Sequence, residues 1–414
     1  MTDMAGAVPV IAVDKVQAVA LAVCTYYFGV WLKGKVGVLS RYSIPSPVVG
    51  GMSFAIVLSF LEYFNIVKVQ IDSTLQTVLM LGFFTTIGLM ASLRVVKDGG
   101  RLLLGFLLAV TVLVFLQNGM GMAIAEAMGF DKHYGILAGS VSMMGGLGTA
   151  AAFGPYFEET YGITGGTAVA VTAATFGMVA ALLIGGPFGE WCIRRYKVKT
   201  PDEVQQPEPE LHLPDDMDTD ITEQHASAKP SFTNEIMRAV SVTALAMGLG
   251  TIVSNFLGHY ITLPAYIGAM IVATVIRNVG DFSGMYKVEG KGLNAVADIT
   301  LVLFVTMAIN NLKLHELVHL ALPLVVILAC QTILMLIYAW TVLFTAFGRS
   351  YDAVMLSVGG IGFSMGATAN GLANMQAISE KYGSSPRAWL IVSVVGAFLI
   401  DLINAVVITW FGTL

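Results

Sequence analysis

The chain has little charge. Only 12% of its 414 residues are Asp, Glu, Lys or Arg, and 56% are hydrophobic. Globular domains carry about 25% charged residues, so this chain lacks the polar surface that a soluble protein of its length requires. A mean hydropathy of +0.77 places it instead among polytopic membrane proteins. Cysteine is scarce too. Cys24, Cys192 and Cys330 are odd in number and sit in or beside apolar runs, which excludes a disulfide framework. No Gly-x-x-x-x-Gly-Lys-Ser/Thr, no His-Glu-x-x-His and no Cys/His cluster occurs, so phosphate cradling and zinc chemistry have no footing and no cofactor is expected. No basic stretch followed by a small-residue cleavage site opens the chain, so no cleaved signal peptide is expected. Nucleic-acid binding has no support either.

What charge there is lies unevenly. Residues 200–230 hold nine acids and one Lys, together with five prolines, and carry a net −8 that leaves +3 for the rest. That segment reads as an extended, solvated linker over 197–234. Around it, apolar runs of about twenty residues give ten expected spans. They fall near 12–32, 45–64, 74–93, 100–125 and 164–192, then 236–257, 263–279, 295–312, 317–346 and 388–411.

The two halves echo each other. Ile44-Pro45 matches Leu263-Pro264, Phe84-Thr85-Thr86 matches Phe304-Val305-Thr306, Gly129 matches Gly348, and Tyr161-Gly162 matches Tyr382-Gly383, at offsets near 219 to 221 residues. Repeated pairs in order at a near-constant offset signal duplication. Basic residues follow the odd spans (Lys33, Lys35, Arg41; Arg94, Lys97, Arg101; Arg194, Arg195, Lys197, Lys199). By the positive-inside rule the linker is cytoplasmic and both termini lie outside. Five spans per half then make the repeat inverted. The fold expected is an all-α membrane protein with a first repeat over 1–196 and a second over 235–414.

Each half also holds a Gly-rich insertion between its fourth and fifth spans. One contains Ser142-Met-Met-Gly-Gly-Leu-Gly-Thr149 within 134–155. The other, 351–377, contains Gly359-Gly-Ile-Gly-Phe-Ser-Met-Gly-Ala-Thr368 followed by Ala369 and Asn370. Full crossings there would invert the charge bias of every later loop, so both read as re-entrant hairpins from opposite faces. Irregular backbone at membrane depth must be buried in protein or line a cavity, and two broken elements meeting at the midplane is the site design of secondary transporters. The substrate-binding candidates are Gly145, Gly146, Gly148, Thr149, Gly362, Gly366, Thr368 and Asn370. Freed N–H groups at such tips suit carboxylates, and freed C=O groups suit sodium.

Asp401 lies deep in the last span, where a carboxylate costs about 2.5–3.5 kcal/mol on insertion scales. A bound cation would offset that cost, and Asn404 shares its helix face. Thr306 and Asn310, polar within another span, complete the sodium candidates. Gln117, Asn118 and Gln331 read as interhelical hydrogen-bonding residues. Gly362-Phe-Ser364-Met-Gly366 matches Gly-x-Ser-x-Gly, the hydrolase nucleophile pattern. Its base would have to come from His133, His259, His315 or His319, all near span ends. An intramembrane hydrolase is therefore a distant alternative to a transporter, and no enzyme is expected.

Several stretches together resemble the bacterial sodium:glutamate symporters. They are Tyr42-Ser-Ile-Pro-Ser-Pro-Val-Val-Gly-Gly51, Phe83-Phe-Thr-Thr-Ile-Gly-Leu89, Leu137-Ala-Gly-Ser140, Ala173-Ala-Thr-Phe-Gly177, Gly185-Gly-Pro187, Ala373-Asn-Met-Gln-Ala-Ile378 and Val395-Gly-Ala-Phe-Leu-Ile-Asp401. The resemblance runs from about Arg41 to the C-terminus and fails in the linker. It implies ten spans with two re-entrant loops, a homodimer in the bacterial inner membrane, and uptake of L-glutamate with sodium as the coupling ion. It departs at the tips. The family's usual Gly-Gly-His-Gly is here Gly145-Gly-Leu147-Gly, and Gly360, Ser364, Met365, Ala369 and Asn370 replace usual residues of the second tip. Those departures leave open a sodium- or proton-coupled carrier or exchanger of another small dicarboxylate or amino acid.

Overall fold

The computed structural model describes residues 9–37, 39, 44–64, 66–94, 100–201, 232–257, 264–284, 286, 290–314 and 319–414. Most of the acidic linker, 202–231, and His259 and His315 lie outside the described residues.

In chain order the first half contributes β1 (Val10–Val13), α1 (Lys15–Lys35), α2 (Ser46–Tyr63), β2 (Lys68–Ile71), α3 (Thr74–Met90) and α4 (Gly100–Ala127). It continues with α5 (Lys132–Ile136), which runs into a π-helical turn over Leu137–Val141, then α6 (Gly146–Tyr161) and α7 (Gly166–Tyr196). The second half contributes α8 (Phe232–Leu257), α9 (Ala265–Ser283), α10 (Lys291–Asn310) and α11 (Ala321–Tyr338), the last continuing as a π-helix over Ala339–Ala346. After it come α12 (Tyr351–Ser364), α13 (Thr368–Tyr382), and α14 (Pro386–Val394), which passes through a π-helical turn at Val395–Leu399 into α15 (Ile400–Gly412). β1 and β2 pair in parallel, Val10 opposite Lys68, and Asp14 closes a capping box that starts α1.

Among the described residues, seven helices are long and apolar enough to cross a membrane. The other three expected spans are present as helix but differ in kind. α3 has 17 residues, α9 carries Arg277 and Asp281 in its second half, and the last span is interrupted by the π-helical turn before Asp401. The protein is an all-α polytopic membrane protein.

The helices sort into two bundles. α1, α2, α3, α8, α9 and α10 pack on one another, and this flanking bundle takes three helices from each half of the chain. Small residues set its close approaches. A Cβ on Gly29 would lie 2.1 Å from Ser46 O, on Gly88 2.3 Å from Met270 O, and on Gly250 2.2 Å from the Ala269 Cα. The remaining elements, α4–α7 and α11–α15, form a second bundle that contains both interrupted stretches. The bundles meet along a thinner seam in which α10 faces α6 and α7, and α3 and α9 face α15 and the turn before it.

Candidate functional site

The first interrupted stretch breaks at Gly139, whose ψ of −130° is far from helical. A Cβ there would lie 2.9 Å from Asn118 Oδ1, so glycine is what fits. The break frees Ser140's backbone groups, and side chains take them up. The Ser140 N–H donates to Asn118 Oδ1 (2.9 Å), and Asn404 Nδ2 donates to Ser140 O (3.1 Å). Ser142 Oγ donates to Ala170 O at 2.7 Å, tying the tip to α7. The chain then turns through Gly145 and restarts as α6 at Gly146.

The second stretch ends α12 at Ser364 and restarts α13 at Thr368 after a three-residue link. Gln117 Nε2 donates to Ser364 O at 2.9 Å. Asn370 Nδ2 donates to Met178 O (2.9 Å) and Asn374 Nδ2 to Ala181 O (3.0 Å), fastening α13 along α7. Thr368 Oγ1 donates to Gly396 O in the turn before α15.

The two tips touch. Gly146 has φ +63°, and a Cβ on it would lie 2.4 Å from Gly366 O. Backbone approach this close in the left-handed region leaves glycine alone at that position. Beside the contact lies a cavity of about 520 Å³, in the seam between the bundles. Pro45, Phe83, Ile87, Asp298, Leu301, Val302 and Val305 line it from the flanking bundle. Met144–Thr149, Met178, Phe363, Gly366–Ala369, Gly396 and Asp401 line it from the other. The volume falls in the range of small-molecule sites.

Of the substrate-binding candidates, Gly145, Gly146, Gly148, Thr149, Gly366 and Thr368 line this cavity. Gly362 does not, because it packs on Gly371, with a Cβ position 2.2 Å from that Cα. Asn370 is turned to Met178 O. Of the sodium candidates, Asp401 lines the cavity and Asn404 lies one turn further along α15, bonded to Ser140 O. Thr306 and Asn310 belong to the flanking bundle. Thr306 Oγ1 donates to Val302 O (2.6 Å), and Asn310 Nδ2 to Thr25 Oγ1 (3.1 Å).

Asp298 was not among the sequence candidates. The rule that marks Asp401, a carboxylate inside an apolar span, would have found it, since it stands two turns into α10. Two carboxylates, and among the described residues no Lys or Arg, thus line the cavity. α6 and α13 begin at it with no side-chain cap hydrogen bond, so the positive ends of both helices lie at the cavity. Positive helix ends and negative side chains at one site suit an anion accompanied by a cation.

A family model for the Sodium/glutamate symporter matches residues 11–384. The chain belongs to the sodium/glutamate symporter family. It is 38% identical over 400 residues to the Sodium/glutamate symporter of Escherichia coli (strain K12), covering 95% of this chain and 96% of that protein. The Shigella flexneri protein of the same name matches to the same extent. The Haemophilus influenzae protein of that name is 35% identical over 395 residues, covering 94% and 95% of the two chains. These relatives are named as symporters, and this family member is a transporter, not an enzyme. The hydrolase pattern at Ser364 gains nothing from the geometry. Ser364 is fully buried, His133 is held by Asp131 and Gly412 O, and His319 is exposed.

Proposed function

We propose that the protein couples the entry of sodium to the uptake of L-glutamate by alternating access, the broken bundle moving against the flanking one. The observation that carries this reading is the seam cavity, where both tips, the uncapped starts of α6 and α13, and Asp401 meet. The family relationship supports the choice of sodium and glutamate. Sodium binds at Asp401 and Asn404. Glutamate follows, its carboxylates toward the helix N-termini at Gly146–Thr149 and Ala367–Ala369. With no basic side chain lining the cavity among the described residues, the ion supplies positive charge there, and the anion site is incomplete without it. Each net positive charge that enters gains about 2.3 kcal/mol per 100 mV of membrane potential.

The mode of movement follows from how the bundles are built. The seam is largely apolar, with Gly148 facing Phe83 and Leu301 and the Phe153 ring edge-on to Tyr266 at 5.4 Å. A second, polar cavity of about 240 Å³ lies further along the same seam. It sits between Gln76, Asn311 and Lys313 of the flanking bundle and Pro155, Glu158 and Thr167 of the other. α6 and α10 run from one cavity to the other, so sliding along them would carry the tips from one side to the other. In this reading the interrupted stretches are re-entrant hairpins of inverted repeats 1–196 and 235–414. The linker is cytoplasmic, both termini lie outside, and the protein sits as a homodimer in the inner membrane.

The test is radiolabelled L-glutamate uptake into proteoliposomes under an inward sodium gradient, a proton gradient or neither, for the native protein and Asp401→Asn. Expected is sodium-dependent uptake that collapses in Asp401→Asn. Uptake driven by protons alone would replace the coupling ion. No glutamate uptake under any gradient would sink the substrate assignment and send the same assay to other dicarboxylates and amino acids.

A further inference from the structure

Far from the cavity, two arginines distant in sequence meet over one ring. The Arg195 guanidinium carbon, at the end of α7, lies 6.0 Å from the centroid of Tyr196, and that of Arg349, after α11, lies 5.4 Å from it. Both residues are exposed, and among the described residues neither pairs with a carboxylate. Their neighbours do pair. Glu190 takes Arg194 at 3.2 Å and Lys381 at 2.7 Å, so its charge is already met. The backbone is strained at the same place. Among the described residues only Lys197 and Arg349 are non-glycine residues with positive φ, +50° and +52°. Such conformations persist where the surroundings over-determine them. Like charges gathered on a strained backbone call for an anion.

The aromatic residues around them say which kind. Trp340 Nε1 donates to Tyr196 Oη at 2.7 Å, and the exposed rings of Trp340 and Trp191 stand 6.4 Å apart. α7 and α11 pack side by side. Further back along both helices Leu183, Ile333 and Ile337 are turned outward. A recess of about 680 Å³ joins the two levels, reaching from Arg195 and Trp191 to Gly186 and Pro187, about one turn into α7.

We propose that this end of α7 and α11 binds the headgroup of an anionic phospholipid. The phosphate sits with Arg195 and Arg349, Trp191 and Trp340 lie at headgroup level, and an acyl chain follows the outward apolar residues. Tryptophan and tyrosine belong at the membrane–water boundary, basic pockets between spans take anionic headgroups, and guanidinium groups match phosphate oxygens with two hydrogen bonds. A free phosphate would meet the arginines and leave the apolar strip unused. A zwitterionic lipid brings an ammonium group that the arginines repel. The bound lipid joins the end of α7 to the segment after α11. Since α7 also supplies Met178 O and Ala181 O, on which α13 is fastened, the lipid steadies the element behind the second tip.

The test is the melting temperature of the purified full-length protein in detergent, titrated with phosphatidylglycerol, phosphatidylcholine or inorganic phosphate. Expected is a rise with phosphatidylglycerol alone. In Arg195→Gln/Arg349→Gln the phosphatidylglycerol concentration giving half the rise should increase about thirtyfold, the equivalent of about 2 kcal/mol for two basic side chains at a membrane surface. The melting temperature in phosphatidylcholine should be kept. Lys35→Gln/Arg101→Gln removes as much charge from two other exposed positions at span ends and should respond as the native protein does. If all three additives stabilise the native protein alike, or if the control loses as much response as the arginine pair, the attraction is general and the proposal ends. The rival occupant is the acidic linker of the same chain, net −8 over residues 200–230. If neutralising its nine acids and substituting the arginine pair lower the melting temperature in phosphatidylcholine alike, and phosphatidylglycerol restores neither, the arginines hold the linker and the proposal falls. Should the double variant not fold, Arg349→Gln alone is read by the same titration. An increase of about fivefold supports the site, and no increase ends it.

Discussion

The two bundles differ in what their crossing side-chain amides hold. Hydroxyls fold back on their own helices in both, Thr85 onto Leu81 O and Thr306 onto Val302 O in the flanking bundle, Thr175 onto Val171 O and Thr409 onto Ala405 O in the broken one. The flanking helices are continuous, and their crossing amides meet a side chain or a helix end, Asn310 at Thr25 Oγ1 and Asn278 at Ala91 O. In the broken bundle the amides reach across to other elements. Gln117 reaches Ser364 O, Asn404 reaches Ser140 O, Asn370 reaches Met178 O, and Asn374 reaches Ala181 O. A break frees backbone groups that hydrocarbon cannot hydrate, and side-chain amides stand in for the missing ladder. The alternating-access proposal asks the moving part to hold its shape, and these bonds sit at its breaks. Under that proposal, a bundle whose breaks are pinned would travel as a unit along the largely apolar seam.

The sharpest way to break this picture is at the contact between the tips. Gly146→Val puts a branched side chain at φ +63° and a Cβ 2.4 Å from Gly366 O. Both the backbone conformation and the contact forbid it. Uptake should fall to background while the protein still reaches the membrane. Gly119→Val, where a Cβ meets nothing within 4 Å, should transport normally. Equal loss in both would mean that the tips have no special role.

The second test ties the bundles together. Leu301 of α10 faces Gly148 of α6 across the seam, with Cδ1 3.4 Å from where a Gly148 Cβ would stand. In a background lacking Cys24, Cys192 and Cys330, cysteines at 148 and 301 joined by a short bifunctional reagent should stop uptake. Cleaving the linker should restore it. The matched control joins position 105 to 347, within the broken bundle, where a Gly105 Cβ would lie 3.9 Å from the Phe347 ring. That link should leave uptake intact. If the control stops transport and the seam link does not, the moving boundary has been drawn in the wrong place.

How much of this was legible in the sequence varies by residue. The Gly runs at 145–148 and 359–366 announced irregular backbone, and the meeting of Gly146 with Gly366 is where that reading led. Asp401 was legible because a carboxylate in an apolar span demands an explanation, and the cavity supplies one. Asp298 obeys the same rule but sits nearer a span end, where charge attracts less notice. Thr306 and Asn310 could not be placed, since a polar residue in a span does not say which neighbour its face meets. Only the packing of α10 on α1 sends Asn310 to Thr25. Gln117, Asn118 and Gln331 read as interhelical contacts, and they are. What the sequence could not show is which backbone each one holds, because Gln117 meets Ser364 O and Gln331 meets Gln117 O only where α4, α11 and α12 come together.

The smallest effect tests how the broken bundle is held. Asn374 is 4% exposed and its Nδ2 bonds Ala181 O, with the side chain filling the space beside Gly185. Asn374→Ala removes that donor and leaves Ala181 O with its helix bond alone, at a cost of about 0.5–1.5 kcal/mol. The melting temperature should drop by several degrees. Uptake at low temperature should persist, because Asn374 does not line the cavity. On the flanking side Thr85→Val removes a hydroxyl that merely back-bonds its own helix, and should cost less. If the two substitutions cost the same, the amides of the broken bundle are packing rather than pins. The distinction between amides that hold interrupted backbone and hydroxyls that only back-bond a helix would then go with them.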